Sequence, residues 1–220
     1  MDKNKFIIIG GMAVALYVLI VNAWICDDAY ITLRTVDNFI SGYGLTWNPG
    51  ERVQSYSHPL WMLLLSFFYL ITSNSYFMPV FLSVIISIIS LWLLVKYLSG
   101  GLINSIIVLL LALLSKSFID YSTSGLENPL SYLIIITFYL VYLKKEIRNR
   151  LLVLALLASC SALNRYDLTF LTFPPLFYES INTCCKRFRQ ISIGLLPIVL
   201  WIFFSLLYYG FAVPDRKSVV

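Results

Sequence analysis

Two adjacent carboxylates, Asp27 and Asp28, follow directly after a long apolar run of the sequence. Asp27 is placed to cap the helix that follows, and that role is compatible with a role in catalysis. A cap needs only one carboxylate, and a second ionised side chain at the border of an apolar segment is costly unless it binds something. The pair therefore indicates a binding or catalytic site, and it is where a divalent metal would bind if the protein uses one.

Glu127 and Arg165 are two further charged residues at the borders of apolar runs. Pro129 begins the run after Glu127, and Asn128 is placed to cap that helix, so the backbone of Glu127 is fixed at one point. The alternative for Glu127 is a solvated loop acid. Arg165 must pair with an acid, a lipid headgroup or a phosphate, and the local alternative is an ion pair with Asp167.

His58, directly before Pro59, is the only histidine of the chain. A histidine without a second histidine or a cysteine nearby does not indicate a zinc site. Its structural interpretation is the cap of the helix that Pro59 begins.

The composition defines the kind of protein that must position these groups. Hydrophobic residues make up 60% of the 220 residues and charged residues 12%, whereas about a quarter of a soluble domain is charged. The lysines and arginines do not form runs with interleaved aromatic residues, which argues against nucleic acid as a partner. The composition predicts an all-α integral membrane protein.

Seven apolar runs predict a polytopic bundle of transmembrane helices. They cover residues 6–26, 76–97, 101–114 (extended through 121), 129–143, 151–163, 168–178 and 191–209. Residues 28–41 predict an amphipathic interfacial helix, with Ala29, Leu33, Val36 and Ile40 on its apolar face, ended by Gly42 and Gly44. Residues 59–72 are too few for a span and predict a short re-entrant helix.

The distribution of lysine and arginine selects one topology. If residues 59–72 do not cross, the basic clusters at 144–150 and 186–189 fall on the same side as the N-terminus, as the preference of cytoplasmic loops for lysine and arginine requires. This arrangement places the protein in the plasma membrane with its N-terminus inside. Asp27, Asp28, Glu127 and Arg165 then all lie on the outer face.

Three motifs in this order resemble one family of membrane enzymes. The first motif consists of residues 27–34, 42–53 and 56–61. The second is Ser124-Gly125-Leu126-Glu127-Asn128-Pro129-Leu130, and the third is Asn164-Arg165-Tyr166-Asp167. They are similar to motifs of the GT-C superfamily of polytopic glycosyltransferases, and the nearest resemblance is to its arabinofuranosyltransferase-like branch. The first motif is long and specific, and the other two are short.

The resemblance implies an enzyme that moves a sugar from a polyprenyl-phosphate donor to a glycan or lipid acceptor on the extracytoplasmic face. Asp27 falls on the catalytic residue of the family, which would act as the general base of an inverting transfer. Asp28 and Glu127 fall on supporting acids. Arg165 falls on a contact to the donor phosphate, with Arg52 and His58 as further contacts. No cofactor is predicted with a defined site, and a divalent metal, if the enzyme uses one, would bind at Asp27 and Asp28.

Residues 27–58 then form the loop that carries the catalytic motif, within a transmembrane glycosyltransferase module that covers residues 1–220. Family members are longer, so we expect the chain to be the N-terminal part of such an enzyme. One alternative is a transporter or flippase for a lipid-linked substrate, although a transporter places ionisable residues near the bilayer midplane. The other alternative is a non-catalytic membrane subunit.

Overall fold

The computed structural model describes residues 3–181 and 188–212, and every regular element in this part of the chain is helical. The α-helices are α1 (Lys3–Val21), α2 (Asp27–Ile40), α3 (Pro59–Thr72), α4 (Phe77–Leu93), α5 (Leu102–Leu114), α6 (Lys116–Tyr121), α7 (Asn128–Leu143), α8 (Arg150–Asn164), α9 (Thr169–Ile181), α10 (Phe188–Gly194) and α11 (Leu196–Tyr209). A π-helical turn (Leu94–Leu98) continues α4, and a 3₁₀ turn (Tyr166–Leu168) precedes α9. Most of the predicted basic cluster at 186–189 lies outside the described residues.

Two of these helices are long and apolar enough to cross a membrane by themselves. They are Asn4–Val21 of α1 and Phe77–Leu98, which joins α4 to its π-helical turn. The pair α10 and α11, bent by 44° at its break, makes a third if it is counted as one span. Four other helices, α3, α5, α7 and α8, are apolar but only 13 to 16 residues long. The protein is therefore a helical membrane protein, and the count of seven spans stays a prediction.

Two of the predicted runs are interrupted, each for a local reason. The extension of the run 101–114 through residue 121 is not one helix, because Ser115 adopts an extended conformation and its hydroxyl accepts a hydrogen bond from the Phe118 amide at the start of α6. The run 191–209 breaks between α10 and α11. There Pro197 lies in the first turn of α11, and its ring has no amide hydrogen to continue the preceding helix.

Contacts between distant segments group the loops into two ends of the bundle. At the first, which we call the Asp27 end, Trp24 Nε1 donates to the Asp120 carbonyl at 3.1 Å. At the second, which we call the Lys96 end, the Lys144 ammonium lies 4.8 Å from the centre of the Tyr97 ring. The 19 residues of α1 separate the two ends by about 28 Å, at 1.5 Å per residue. The charge pattern predicts the same two groups of loops, and which end faces outward stays a prediction.

The core nearest the Asp27 end is built around α3. Trp61, Met62 and Leu65 of α3 are fully buried against Leu33 and Val36 of α2 and against residues of α4 and α7. Large apolar side chains elsewhere face outward, such as Ile103 at 74% exposure and Phe170 at 82%. Such exposure suits a surface in contact with lipid chains.

Candidate functional site

Asp27 and Asp28 occupy the first turn of α2. The predicted capping role of Asp27 is wrong by one position, since α2 begins at Asp27 and Cys26 is the residue before it. The reason is a long-range contact: the Cys26 amide donates to the Ser124 carbonyl at 2.9 Å, which fixes the chain before the helix. Both carboxylates are exposed, and neither has a side-chain hydrogen bond or ion pair within the described part of the chain. The two carboxylates lie at the positive end of the α2 dipole, which attracts negatively charged groups.

The buried face of α2 agrees with its predicted pattern and adds two polar residues to it. Ala29, Leu33 and Val36 are buried, as predicted, and Ile40 is half-buried. Thr32 and Thr35 are also buried, on the face toward residues 55–58. This threonine pair brings hydroxyl groups into contact with the candidate site.

His58 is held between α2 and the loop before α7. It occupies the N-cap position of α3, as predicted, but its side chain makes no capping hydrogen bond. Its Nε2 atom lies 2.8 Å from Thr32 Oγ1, and its Nδ1 atom lies 3.5 Å from Glu127 Oε2. Burial lowers the pKa of the imidazole, and Arg165 lowers it further, while Glu127 raises it. The ring is then neutral at pH 7, and the carboxylate favours the tautomer with the proton on Nδ1, so that Thr32 donates to Nε2.

Glu127 joins His58 to Arg165. Its side chain is 13% exposed, and its Oε1 atom accepts a hydrogen bond from Arg165 Nη1 at 3.4 Å. The predicted cap, Asn128, is instead the first residue of α7 and makes no cap. Its Oδ1 atom accepts from Arg165 Nη1 at 3.0 Å. The prediction that Glu127 is a solvated loop acid is therefore excluded in favour of a buried, hydrogen-bonded one.

Arg165 also makes the local ion pair expected from the sequence. Its Nε and Nη2 atoms donate to the two carboxylate oxygens of Asp167, each at 3.0 Å. This bidentate contact raises the pKa of Arg165 and lowers that of Asp167. Together with the hydrogen bonds to Glu127 and Asn128, the contact to Asp167 uses four of the five N–H groups of the guanidinium. Arg165 is thereby fixed in one orientation, while Asp167 stays largely exposed to solvent.

This cluster is positioned by two buried residues, Trp61 and Asn164, to which the sequence alone assigned no role. Trp61 Nε1 donates to the Gly125 carbonyl at 3.0 Å, and Asn164 Nδ2 donates to the Glu127 carbonyl at 3.1 Å and to Ser131 Oγ at 2.9 Å. Both side chains are fully buried. Both lie inside or next to the motifs that the sequence analysis singled out, and that proximity was the available signal.

Arg52 is not part of this cluster. It is exposed, and its guanidinium lies 5.3 Å from the centre of the Tyr208 ring at the end of α11. The structure thus brings together His58, Glu127 and Arg165, places Asp27 and Asp28 on the adjoining helix turn, and leaves Arg52 elsewhere on the same end.

A cavity of about 540 Å³ opens beside Arg165. Arg165 and Asp167 contribute its charged groups. Its other polar residues are Ser90, Asn128, Ser131 and Tyr132. The rest of the wall is apolar and includes Leu91 of α4, Leu94 of the π-helical turn, Ile135 and Ile136 of α7, Leu168 and Leu171. The cavity thus places the Arg165 guanidinium, paired with Asp167, beside a largely apolar wall.

The described residues contain no group of three or more histidine, cysteine, aspartate or glutamate side chains that could hold a metal ion. Asp27 and Asp28 are neighbours in a helix, and side chains at successive helical positions do not face each other. The pair by itself is therefore not a chelating site.

The fold and the site define a helical membrane protein with a half-buried cluster of an acid, a histidine and an arginine at one end of the bundle. In sequence the chain is similar to the terminal β-(1→2)-arabinofuranosyltransferase of Mycobacterium tuberculosis, with 29% identity over 214 residues, or 87% of this chain. It is also 43% identical over 49 residues to the terminal β-(1→2)-arabinofuranosyltransferase of Corynebacterium glutamicum. The resemblance to arabinofuranosyltransferases predicted from the motifs is thereby confirmed.

The match covers 34% of the mycobacterial relative and 7% of the corynebacterial one, so the chain spans about a third of the length of the first relative it matches. No protein-family model matches the chain, and no solved structure matches it.

Proposed function

We propose that this chain carries the donor-binding and catalytic part of a glycosyltransferase of the plasma membrane, with its site on the extracytoplasmic face. The donor is a sugar on a polyprenyl phosphate, and the acceptor is a glycan or a lipid. The observation that supports this most is the amphiphilic cavity, which presents the Arg165 guanidinium beside a long apolar wall. The two arabinofuranosyltransferase relatives support the reaction class.

The polyprenyl chain would lie along the apolar wall between α4 and α7, with the phosphate at Arg165. Arginine suits this contact because its planar group binds phosphate oxygens in pairs. In the structure the charges near the guanidinium add to a net −1, from Arg165 against Glu127 and Asp167. The donor phosphate would therefore replace Asp167, whose side chain is 62% exposed and can move away into solvent.

The buried partners of Arg165 would stay in place during that exchange. Glu127 and Asn128 hold Nη1, and Asn164 holds the Glu127 backbone. His58, neutral because of its burial, supports the other side of the Glu127 carboxylate. These residues orient the arginine and do not themselves need to contact the sugar.

Asp27 is the proposed general base. The acceptor hydroxyl gives its proton to the Asp27 carboxylate while its oxygen bonds to the anomeric carbon. The bond from that carbon to the phosphate oxygen breaks, and the lipid phosphate leaves with the electron pair. One displacement of this kind inverts the anomeric centre, and Asp28 would assist as a second acid at the same helix turn. The contact from Cys26 to Ser124 ties this turn to the loop that carries Glu127.

A cavity-filling variant tests the donor site. Ile135→Trp should raise the KM for a long-chain polyprenyl-phosphate donor at least tenfold, because the new ring would occupy the apolar wall. Ile103→Trp, at a position that is 74% exposed outside this cavity, is the matched control and should leave KM within twofold. The assay is sugar transfer by the full-length protein in nanodiscs. Equal KM values for the two variants would exclude this cavity as the donor site.

A further inference from the structure

A second cavity, of about 490 Å³, lies at the Lys96 end of the bundle, between the start of α1, the π-helical turn and the start of α5. Its polar residues include Asn4, Lys5, Lys96 and Ser99. Its apolar wall includes Ile8 and Ile9 of α1, together with Trp92, Val95 and Leu102. It is separated by most of the length of α1 from the cluster around Glu127.

The charged side chains that line this cavity are all positive. Lys5 and Lys96 line it, and Lys144 reaches the same aromatic residue, Tyr97, from α7. None of the three lysines forms an ion pair with a carboxylate in the part of the chain that the structure describes. All three lysines are exposed, and exposed ammonium groups next to an apolar membrane segment attract the anionic headgroups of lipids.

Aromatic rings fix the position of the central lysine. The Lys96 ammonium lies 4.3 Å from the centre of the Trp92 ring and 4.9 Å from that of Tyr97. Both rings are partly exposed, and amphipathic aromatic residues of this kind prefer the level of the lipid headgroups. The cation therefore lies beside rings of the kind that contact lipid headgroups.

We infer that this cavity binds an anionic phospholipid of the bilayer. The headgroup phosphate contacts Lys5 and Lys96, and an acyl chain lies on Ile8, Ile9 and Trp92. Charge complementarity selects an anionic headgroup over a zwitterionic one, and the apolar wall selects a lipid over a free anion. Basic pockets between membrane helices are a recurrent site for such headgroups. The topology predicted from the basic residues places this lipid in the inner leaflet.

The test uses the full chain, purified in detergent and depleted of lipid, with dioleoyl phosphatidylglycerol as the probe and native mass spectrometry as the readout. Each exposed lysine contributes about a fivefold factor to binding of an anionic headgroup. Lys5→Gln and Lys96→Gln should therefore each weaken binding about fivefold, and the double variant about 25-fold. Lys116→Gln, an exposed lysine at the Asp27 end, should change binding less than twofold.

Three results would overturn the inference. Lys116→Gln could weaken binding as much as Lys96→Gln, which would show only a general effect of net charge. Dioleoyl phosphatidylcholine could bind as tightly as phosphatidylglycerol. Inorganic phosphate could displace the lipid at an equal concentration, in which case the site takes a free anion. The melting temperature without lipid should be the same for all variants, since the lysines are exposed.

Discussion

Replacing Gly125 by alanine tests how the loop before α7 fits against α2. Gly125 has φ +79°, which disfavours any other residue by about 1–2 kcal/mol. A Cβ atom there would lie 3.1 Å from the Ala29 Cβ and 3.5 Å from Ile25 Cγ2. Overpacking of this kind costs about a further 1–3 kcal/mol. We expect Gly125→Ala to lower the free energy of unfolding by about 2–5 kcal/mol.

Gly42→Ala is the matched control for that substitution. Gly42 has φ +85°, and a Cβ atom there would meet no atom within 4 Å. Gly42→Ala should therefore lower the free energy of unfolding only through the unfavourable backbone conformation, by about 1–2 kcal/mol. The difference between the two variants isolates the packing of Gly125 against α2, and reversible unfolding in mixed detergent micelles measures it.

A double-mutant cycle tests whether the Ala29 Cβ atom causes the packing cost of Gly125→Ala. Ala29→Gly removes the nearest neighbour of the new Cβ atom and by itself costs about 1 kcal/mol of helix propensity. The double variant Ala29→Gly/Gly125→Ala should lose at least 0.5 kcal/mol less free energy of unfolding than the sum of the losses of the two single variants. Equal costs for Gly125→Ala and Gly42→Ala, together with strict additivity in the cycle, would refute the close contact between this loop and α2.

Two further predictions concern His58 and the topology. Because burial holds the pKa of His58 below its unfolded value of about 6.5, protons bind the unfolded chain better, and the free energy of unfolding should fall as the pH drops from 7.5 to 5.5. His58→Gln should show a smaller fall over the same range, and identical pH profiles would contradict the buried neutral imidazole. In a background without native cysteines, Ser57→Cys should react with an impermeant thiol reagent from outside, and Lys145→Cys only after the membrane is opened. Both positions are exposed, and labelling of Lys145→Cys from outside would reverse the topology.

Local signals in the sequence were sufficient for several helix boundaries. Pro59 begins α3 as predicted, and Gly42, with its positive φ, follows the end of α2. The apolar and polar faces of α2 were also predictable, because helical periodicity depends only on neighbouring residues.

The roles of individual polar side chains depended on contacts between distant parts of the chain. Asp27 and Asn128 both had the position and type of a cap, yet the Ser124 carbonyl fixed the chain before α2, and Arg165 took the side chain of Asn128. His58 likewise exchanged its expected local role for contacts with Thr32, 26 residues earlier, and with Glu127. Separations of this kind leave no periodic signal in one sequence.

The most direct test of the proposed function is the rate of sugar transfer by Asp27→Asn in the full-length protein. Asparagine keeps the size of the side chain but cannot accept a proton, and a general base contributes about 10²–10⁴-fold to the rate. Asp37→Asn is the control on the same helix, because Asp37 accepts a hydrogen bond from Tyr69 that an asparagine oxygen can also accept. With a polyprenyl-phosphate donor in nanodiscs, we predict a loss of at least 100-fold for Asp27→Asn and less than twofold for Asp37→Asn. A rate near that of the wild type for Asp27→Asn would contradict the assignment of Asp27 as the base. If Asp28→Asn and Glu127→Gln also kept wild-type rates, the proposal that the protein is a glycosyltransferase would be contradicted.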